Sequence, residues 1–163
     1  LPERMIDYEL GYKLNQHGYT AGANFYFMDY NNQMVQTGKL TDVGYKLMEN
    51  VKDSYRTGIE LELGVPIVNN ELRFDANVTL SQNKINNYTA YYDVYDENWD
   101  EVLDQTTEVF NSTNISFSPN VVSSGIVSYQ PLSNLGFRLI GKYVGKQYLD
   151  NTSDDEKAFR LIL

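Results

Sequence analysis

Cysteine is absent from this chain of 163 residues, which excludes disulfide bridges, thiolate metal sites and thiol catalysis. The single histidine, His17, leaves little for a catalytic triad or a zinc site. Positive charge is also scarce, because 13 Lys and Arg face 22 Asp and Glu. We therefore expect no nucleic-acid partner, since phosphate contacts need a clustered basic surface. No apolar run is long enough for a transmembrane helix, which needs about 18 residues.

Motifs for common enzyme chemistry are missing as well. The sequence contains no phosphate loop, no dinucleotide fingerprint and no nucleophile elbow. We accordingly predict that the chain is not an enzyme and that it has no catalytic residue, metal site or cofactor.

Aromatic residues are abundant, with 14 tyrosines among them, and they alternate with polar residues at a period of two. Between Met5 and Asn15 every second residue is apolar or aromatic, which is typical of a β-strand with one apolar and one polar face. Similar alternation predicts six or seven strands, the clearest at about 5–15, 19–28, 54–65, 72–81, 115–129 and 135–148. Gly18 is expected to take a positive φ in the first turn. Pro119 is expected at a strand start, an edge or a bulge.

The connections between these strands alternate between short and long. Turns of four or five residues join the strands of each pair, whereas about 31–53 and 86–113 are expected to be long connections. This rhythm and the strand lengths are typical of an outer-membrane β-barrel, in which short periplasmic turns alternate with long extracellular loops. The apolar rows would then face lipid, and the lumen would receive Glu60, Glu62, Arg73, Asp75 and Asn77. A soluble antiparallel sheet with one buried face is the alternative.

Several segments resemble the C-terminal barrel of TonB-dependent outer-membrane receptors, of the kind found in Bacteroidetes-type bacteria. They are DYELGY (7–12), NFYFMDYNNQMV (24–35), SYRTGIEL (54–61), ISFSP (115–119) and KYVGKQYLDNT (142–152). The resemblance implies an all-β antiparallel meander that forms part of a barrel of about 22 strands. It further implies uptake of a scarce nutrient such as a metal chelate, a cofactor or an oligosaccharide.

The same resemblance implies the location and the partners. We expect residues 1–163 to be one partial barrel domain in the bacterial outer membrane, without the plug and the rest of the barrel. Its partners would be outer-membrane lipid, the missing barrel strands and plug and, through the plug, a periplasmic TonB-type coupling protein. A piece of this kind leaves open strand edges, so we also expect it to self-associate through them.

Residues 88–108 form the most unusual segment, because tyrosines and Trp99 alternate there with acidic residues. An aromatic and acidic loop at a barrel mouth would stack sugars or capture a cationic or metal-bearing ligand. The tentative ligand-binding residues are Tyr91, Tyr92, Tyr95 and Trp99. A plain solvated loop is the favoured alternative. If the sheet were soluble, the same residues would serve a carbohydrate-binding module.

Two acidic groups are considered and set aside. Carboxylates at 93, 96, 97 and 100, and again at 150, 154, 155 and 156, lack the spacing of a calcium loop and are interpreted as charge runs. Glu60 and Glu62 share one face of a strand, as a glycosidase pair would. A ladder of polar side chains is the favoured interpretation, with Arg73 and Asp75 as cross-strand partners.

Overall fold

The structure is a computed structural model that describes residues 1–40, 45–68, 71–95 and 102–163. The described residues form one antiparallel sheet, as predicted. Its strands are β1 (Arg4–Gln16), β2 (Tyr19–Leu40), β3 (Lys46–Val68), β4 (Leu72–Tyr95), β5 (Val102–Asn114), β6 (Val121–Leu132), β7 (Leu135–Tyr148) and β8 (Ala158–Ile162), with one 3₁₀ turn, η1 (Asp155–Lys157). The spatial order is β1-β2-β3-β4-β6-β7-β8, and β5 pairs with the far part of β4. Strands β1 and β8 lie at the two edges.

The two ends of the sheet differ in how far their hairpins project. At one end, the short-turn end, β1 passes to β2 through His17 and Gly18, whose φ angles are 49° and 84°. Two positive φ angles in succession define the tight hairpin turn that matches strand twist, and the expected positive φ at Gly18 is confirmed. At the opposite end, the long-hairpin end, β2–β3 and β4–β5 project as extended hairpins, and residues 149–157 join β7 to β8.

The strand register produces one apolar face and one polar face. Leu10 is opposite Phe25, which is opposite Ile59, and the row continues through Leu80 to Val121. Many side chains of this apolar face are exposed, including Leu10 at 76% and Leu139 at 73%. The predicted polar residues lie on the other face, because they alternate with the apolar row. No helix in the described part of the chain is long and apolar enough to cross a membrane.

The segments expected to be long connections are largely strand. Strand β2 continues to Leu40 and β3 begins at Lys46, and β4 likewise continues to Tyr95 and pairs with β5. The predicted strand at 115–129 begins later, at Val121, so Pro119 precedes the strand start. The partners along β4 also slip by three residues: Lys84 pairs with Asn114, whereas Leu80 pairs with Val121. Residues 115–120 therefore form an insertion between β5 and β6.

The buried core lies at the long-hairpin end and not under the apolar face. Its members come from β2, β3, β4 and the insertion: Val35, Val51, Ile85, Tyr88, Ala90 and Ile115, with Phe110 packed against them. The insertion is held against the polar face of the sheet by hydrogen bonds. Arg56 donates from Nη1 to Ser118 Oγ at 2.9 Å, and Ser81 Oγ donates to the Pro119 carbonyl at 3.1 Å. The projecting hairpins are thus packed structure with an interior of their own.

Candidate functional site

A cavity of about 410 Å³ opens at the long-hairpin end, beside this core. We call it the tyrosine cavity. Three segments distant in sequence supply its walls: the start of β3, the outer part of β4 and the β7–β8 connection. The lining residues are Leu47, Met48, Glu49, Tyr88, Ala90, Tyr91, Tyr92, Asp150, Thr152 and Lys157. The cavity therefore combines aromatic side chains with a small number of polar groups, as ligand pockets usually do.

Tyr88 forms the floor of the tyrosine cavity and is only 3% exposed. Its side chain packs in the core next to Ile85 and Ala90. Burial raises the pKa of the Tyr88 hydroxyl to about 12, and the negative charge of Glu49 adds to the effect. A hydrogen bond with Asn151 acts in the opposite direction. The Tyr88 hydroxyl therefore stays neutral at any ordinary pH.

The β7–β8 connection is anchored to the insertion by a fully buried asparagine. Asn151 is 0% exposed, and its Oδ1 accepts a hydrogen bond from the Ser116 amide at 2.8 Å. Two residues further on, Ser153 Oγ accepts from the Asn114 amide at 2.7 Å. The Phe117 amide donates to the Tyr148 carbonyl at 2.9 Å. These bonds hold the connection in place, so that Asp150 and Thr152 line the cavity.

Asp150 and Lys157 form the charged wall of the cavity. Lys157 Nζ lies 2.8 Å from Asp150 Oδ2, while Asp150 Oδ1 accepts from the Thr152 amide at 3.0 Å and from Thr152 Oγ1 at 2.6 Å. Burial raises the pKa of Asp150, but the bonds from Lys157 and Thr152 outweigh burial, and the pKa lies below its ordinary value. The hydrogen bond to Asp150 in turn raises the pKa of Lys157. Both groups are therefore charged at neutral pH.

The structure places two of the four predicted ligand-binding residues in this cavity. Tyr91 and Tyr92 line it from β4, and burial together with the charge of Glu108 raises the pKa of Tyr92. The backbone of Tyr95 pairs with Val102 at the end of β4, whereas Trp99 lies outside the described residues. Sequence reasoning missed the cavity partners Glu49, Thr152 and Lys157. The available signal was topological, because all three belong to or adjoin connections at the same end of the sheet.

In the structure, acidic residues of the cluster at 150–156 form ion pairs with lysines. Asp150 and Asp154 lie 2.8 and 3.9 Å from Lys157, and Asp155 pairs with Lys146. Within the described ranges, no group of three or more His, Cys, Asp and Glu side chains is arranged to hold a metal ion. Of the other predicted cluster, Asp93 lies in β4, and residues 96, 97 and 100 lie outside the described residues.

The ion-pair partner of Glu62 differs from the prediction, which gave Arg73 and Asp75 as the cross-strand partners of Glu60 and Glu62. Glu62 pairs with Lys13, two strands away, at 2.7 Å, and not with the neighbouring strand. Gly22 permits this contact, because a Cβ there would lie 2.6 Å from Glu62 Cγ. Arg73 pairs instead with Asp75 on its own strand, at 2.7 Å, and donates to the Gly18 carbonyl at 2.6 Å. These two pairs occupy the polar face and form part of a ladder of polar side chains.

Comparison with known proteins identifies relatives of the whole sheet. The family model described as "TonB dependent receptor-like, beta-barrel" matches residues 1–160. Among solved structures, the chain is similar to the ferric enterobactin receptor of Pseudomonas aeruginosa, with 19% identity and a TM-score of 0.57 over 98% of this chain and 22% of that one. It is also similar to the siderophore receptor PirA of Acinetobacter baumannii, with 15% identity and a TM-score of 0.58 over 99% of this chain and 24% of that one.

At such identities the solved structures show a shared fold, and the chain spans less than a quarter of their length. None of the curated proteins with which the sequence was compared matches it.

Proposed function

Because the chain belongs to the TonB-dependent receptor-like β-barrel family, we propose that it forms part of the wall of an outer-membrane receptor that imports a nutrient. The observation that supports this proposal is the exposed apolar face. It runs across the sheet from Leu10 through Ile59 to Val121 without a charged residue in that row. In water this surface would be unfavourable, since an exposed apolar patch of this extent marks a contact with another apolar phase. In a barrel wall it faces lipid.

The lengths of the strands support a particular orientation. A tilted strand crosses a bilayer with about 9–11 residues, whereas β2, β3 and β4 have 22, 23 and 24. In these three strands, the residues nearest the short-turn end form the apolar face. The residues beyond the length needed to cross a bilayer lie near the long-hairpin end and contribute to the buried core. We infer that the short turns face the periplasm and that the projecting hairpins stand outside the cell.

The open edges and the polar face indicate the partners. The edges at β1 and β8 would pair with the remaining barrel strands, and the polar face would surround a plug. A periplasmic coupling protein would act through that plug. We further infer that the isolated chain self-associates through the same edges. The resemblance to Bacteroidetes-type receptors rests on the sequence motifs alone and stays a prediction.

The tyrosine cavity is the proposed place of ligand contact. Tyr91 and Tyr92 line it at the end of the sheet that would face outwards. We propose that they contact the transported ligand, together with Tyr95 and Trp99. A soluble carbohydrate-binding module is not favoured, because it would have to bury the apolar face in a core of its own, and the core described here lies elsewhere.

Single-cysteine labelling tests the wall, since the chain has no cysteine of its own. Leu61→Cys and Glu62→Cys are neighbours on opposite faces of β3 and form a matched pair. In outer-membrane vesicles of the intact protein, the cysteine of Leu61→Cys should be protected from a charged maleimide, and it should react with that reagent after the protein is denatured in detergent, because the nucleophile is the thiolate and lipid keeps the thiol protonated. Glu62→Cys should react with the charged reagent. Equal labelling of both positions by the charged reagent would contradict the lipid-facing wall.

A further inference from the structure

We propose that the polar face of the sheet docks the plug through two areas of opposite charge. The basic area, Arg138 and Lys142 on β7, takes acidic side chains of the plug. The acidic area, Asp7 and Glu9 on β1 with Glu60 on β3, takes basic ones. This inference rests on the proposed function, which puts a plug against this face, and it names the chemistry of the plug surface that fits the wall.

The basic area has no counter-charge on its own strands. Strands β6 and β7 contain no acidic residue. Arg138 and Lys142 lie on the polar face opposite serines of β6, and both side chains are exposed. Within the described ranges, neither side chain makes a hydrogen bond or an ion pair. Asp75, the carboxylate of β4 on this face, is held by Arg73, whose Nε lies 2.8 Å from Asp75 Oδ1. Two cations are therefore left for a partner.

The acidic area lies on the opposite side of the same face. Asp7, Glu9 and Glu60 are all exposed. Glu9 accepts a hydrogen bond from the uncharged Asn24 at 3.4 Å, and Asp7 and Glu60 form no ion pair with a described residue. Arg56, the cation in this part of β3, donates to uncharged groups of the fold. These carboxylates are likewise left for a partner.

The two areas are too far apart to neutralise each other. Strands β4 and β6 lie between β3 and β7, which separates the areas by about 14 Å at about 4.8 Å per strand. The Debye length is about 8 Å at physiological ionic strength, so charges at this separation are largely screened from each other. Two other pairs of this face, Lys13 with Glu62 and Arg73 with Asp75, are already closed at 2.7 Å each.

A plug in the lumen makes this arrangement consequential. It removes water from part of the polar face, and a charge that loses water is costly unless it gains a partner of opposite sign. Acidic groups of the plug opposite β7 and basic groups opposite β1 and β3 satisfy both areas. Complementary charges fix register and orientation more than they add affinity. The wall therefore favours one rotational setting of the plug, because a turned plug would oppose like charges.

Carbodiimide cross-linking of the intact receptor in outer-membrane vesicles tests the proposal, because this reagent joins a lysine amine directly to a neighbouring carboxylate. We expect Lys142 to be joined to an aspartate or glutamate of the same polypeptide outside residues 1–163. Lys142→Arg keeps the charge and should lose that link completely. The link between Lys13 and Glu62, which lie 2.7 Å apart, shows that the reagent enters the lumen.

Two introduced lysines measure the separation of charge. Arg138→Lys keeps the charge of the basic area and should form a second link to an acidic residue of the plug. Asn15→Lys puts an amine on the same face of β1 as Glu9, at an exposed position. It should form about tenfold fewer such links, because the plug surface there is basic and like charges are costly at an interface.

Three results would overturn the inference. The first is a Lys13–Glu62 link without any link from Lys142 to residues outside 1–163. The second is a Lys142 link that joins isotope-labelled to unlabelled receptor, which would make a second copy the occupant. The third is equal linking by Arg138→Lys and Asn15→Lys. The cysteine-labelling experiment distinguishes these failures from that of the proposed function, because it measures which face of β3 meets lipid and requires no plug contact.

Discussion

Asn32 and Asn87 flank β3 at the same level and share one backbone conformation. Both have a φ of 55°. Asp53 of β3 is paired with Asn31 of β2 on one side and with Asn86 of β4 on the other. One residue further along, Asn32 and Asn87 therefore lie on either side of Lys52. At this level the buried side chains change from odd-numbered to even-numbered positions on β4. On β4 the odd residues Asn83 and Ile85 are buried before Asn87, and the even residues Tyr88 and Ala90 after it.

The first prediction concerns this pair of left-handed residues. Left-handed backbone costs a β-branched residue about 1–2 kcal/mol more than it costs glycine or asparagine. We expect Asn87→Val to lower the free energy of unfolding by about that amount, and Asn87→Gly to leave it nearly unchanged. Urea unfolding of the intact protein in detergent measures both. Asn86→Val, one position earlier and exposed, is the control, and an equal loss at both positions would contradict the role of φ.

The same pair explains which strands the sequence could reveal. Between Met5 and Asn15 the period of two is unbroken, so the sequence predicts β1 correctly. After Asn32 and Asn87 the side chains that face the interior shift by one position. The period of two is interrupted at that point, and an interrupted period in a sequence resembles a loop. The sequence therefore predicts connections where the structure has the outer parts of β2, β3 and β4 and the whole of β5. The sequence does not show the register slip at residues 115–120, because the slip depends on which residues of β4 are paired with β5 and with β6.

The tyrosine cavity was only half predictable. Tyr91 and Tyr92 stand out by composition within one segment. Asp150 and Lys157 belong to another connection, and nothing in their local sequence points to a tyrosine. They reach the cavity because Asn151 binds the insertion at Ser116. Long-range contacts of this kind depend on the fold, and the period of one segment contains no information about them.

The second prediction uses two glycines in strand interiors. A Cβ at Gly58 would lie 2.5 Å from the Leu80 carbonyl oxygen and 2.7 Å from the Tyr26 hydroxyl, whereas a Cβ at Gly141 would meet no atom of the described residues within 4 Å. Because a backbone atom cannot move away as a side chain can, Gly58→Ala should lower stability by about 1–3 kcal/mol. Gly141→Ala should raise it slightly, by about 0.5 kcal/mol. Urea unfolding measures both, and a harmless Gly58→Ala would show that this contact relaxes freely.

The third prediction tests the anchor of the β7–β8 connection. Asn151→Ala leaves the buried Ser116 amide without the acceptor that lies 2.8 Å away. An unsatisfied buried donor costs about 1–3 kcal/mol, so we expect a loss of that size. Asn120→Ala is the control, because Asn120 is exposed and its backbone carbonyl, not its side chain, accepts from Ser81. It should change stability by less than about 0.5 kcal/mol. Similar losses in the two variants would argue against the anchor.

The fourth prediction is an alkaline loss of stability caused by Tyr88. The pKa of its hydroxyl is 10.0 in the unfolded reference and about 12 in the folded chain, chiefly because of burial. Between these values the unfolded chain releases the proton and the folded chain retains it, so the unfolded state binds fewer protons and stability falls as pH rises. The contribution is complete below pH 10 and is lost towards pH 12.

Tyr88→Phe isolates this contribution, because phenylalanine keeps the ring in the core and removes the titrating group. We expect the variant to be less stable than the parent at neutral pH, since it lacks the hydrogen bonds to Asn151 and Glu49. Its stability should decline less steeply between pH 10 and pH 12. Urea midpoints of both proteins across this range provide the measurement. Parallel declines would mean that Tyr88 titrates normally, and the floor of the tyrosine cavity would then be open to water.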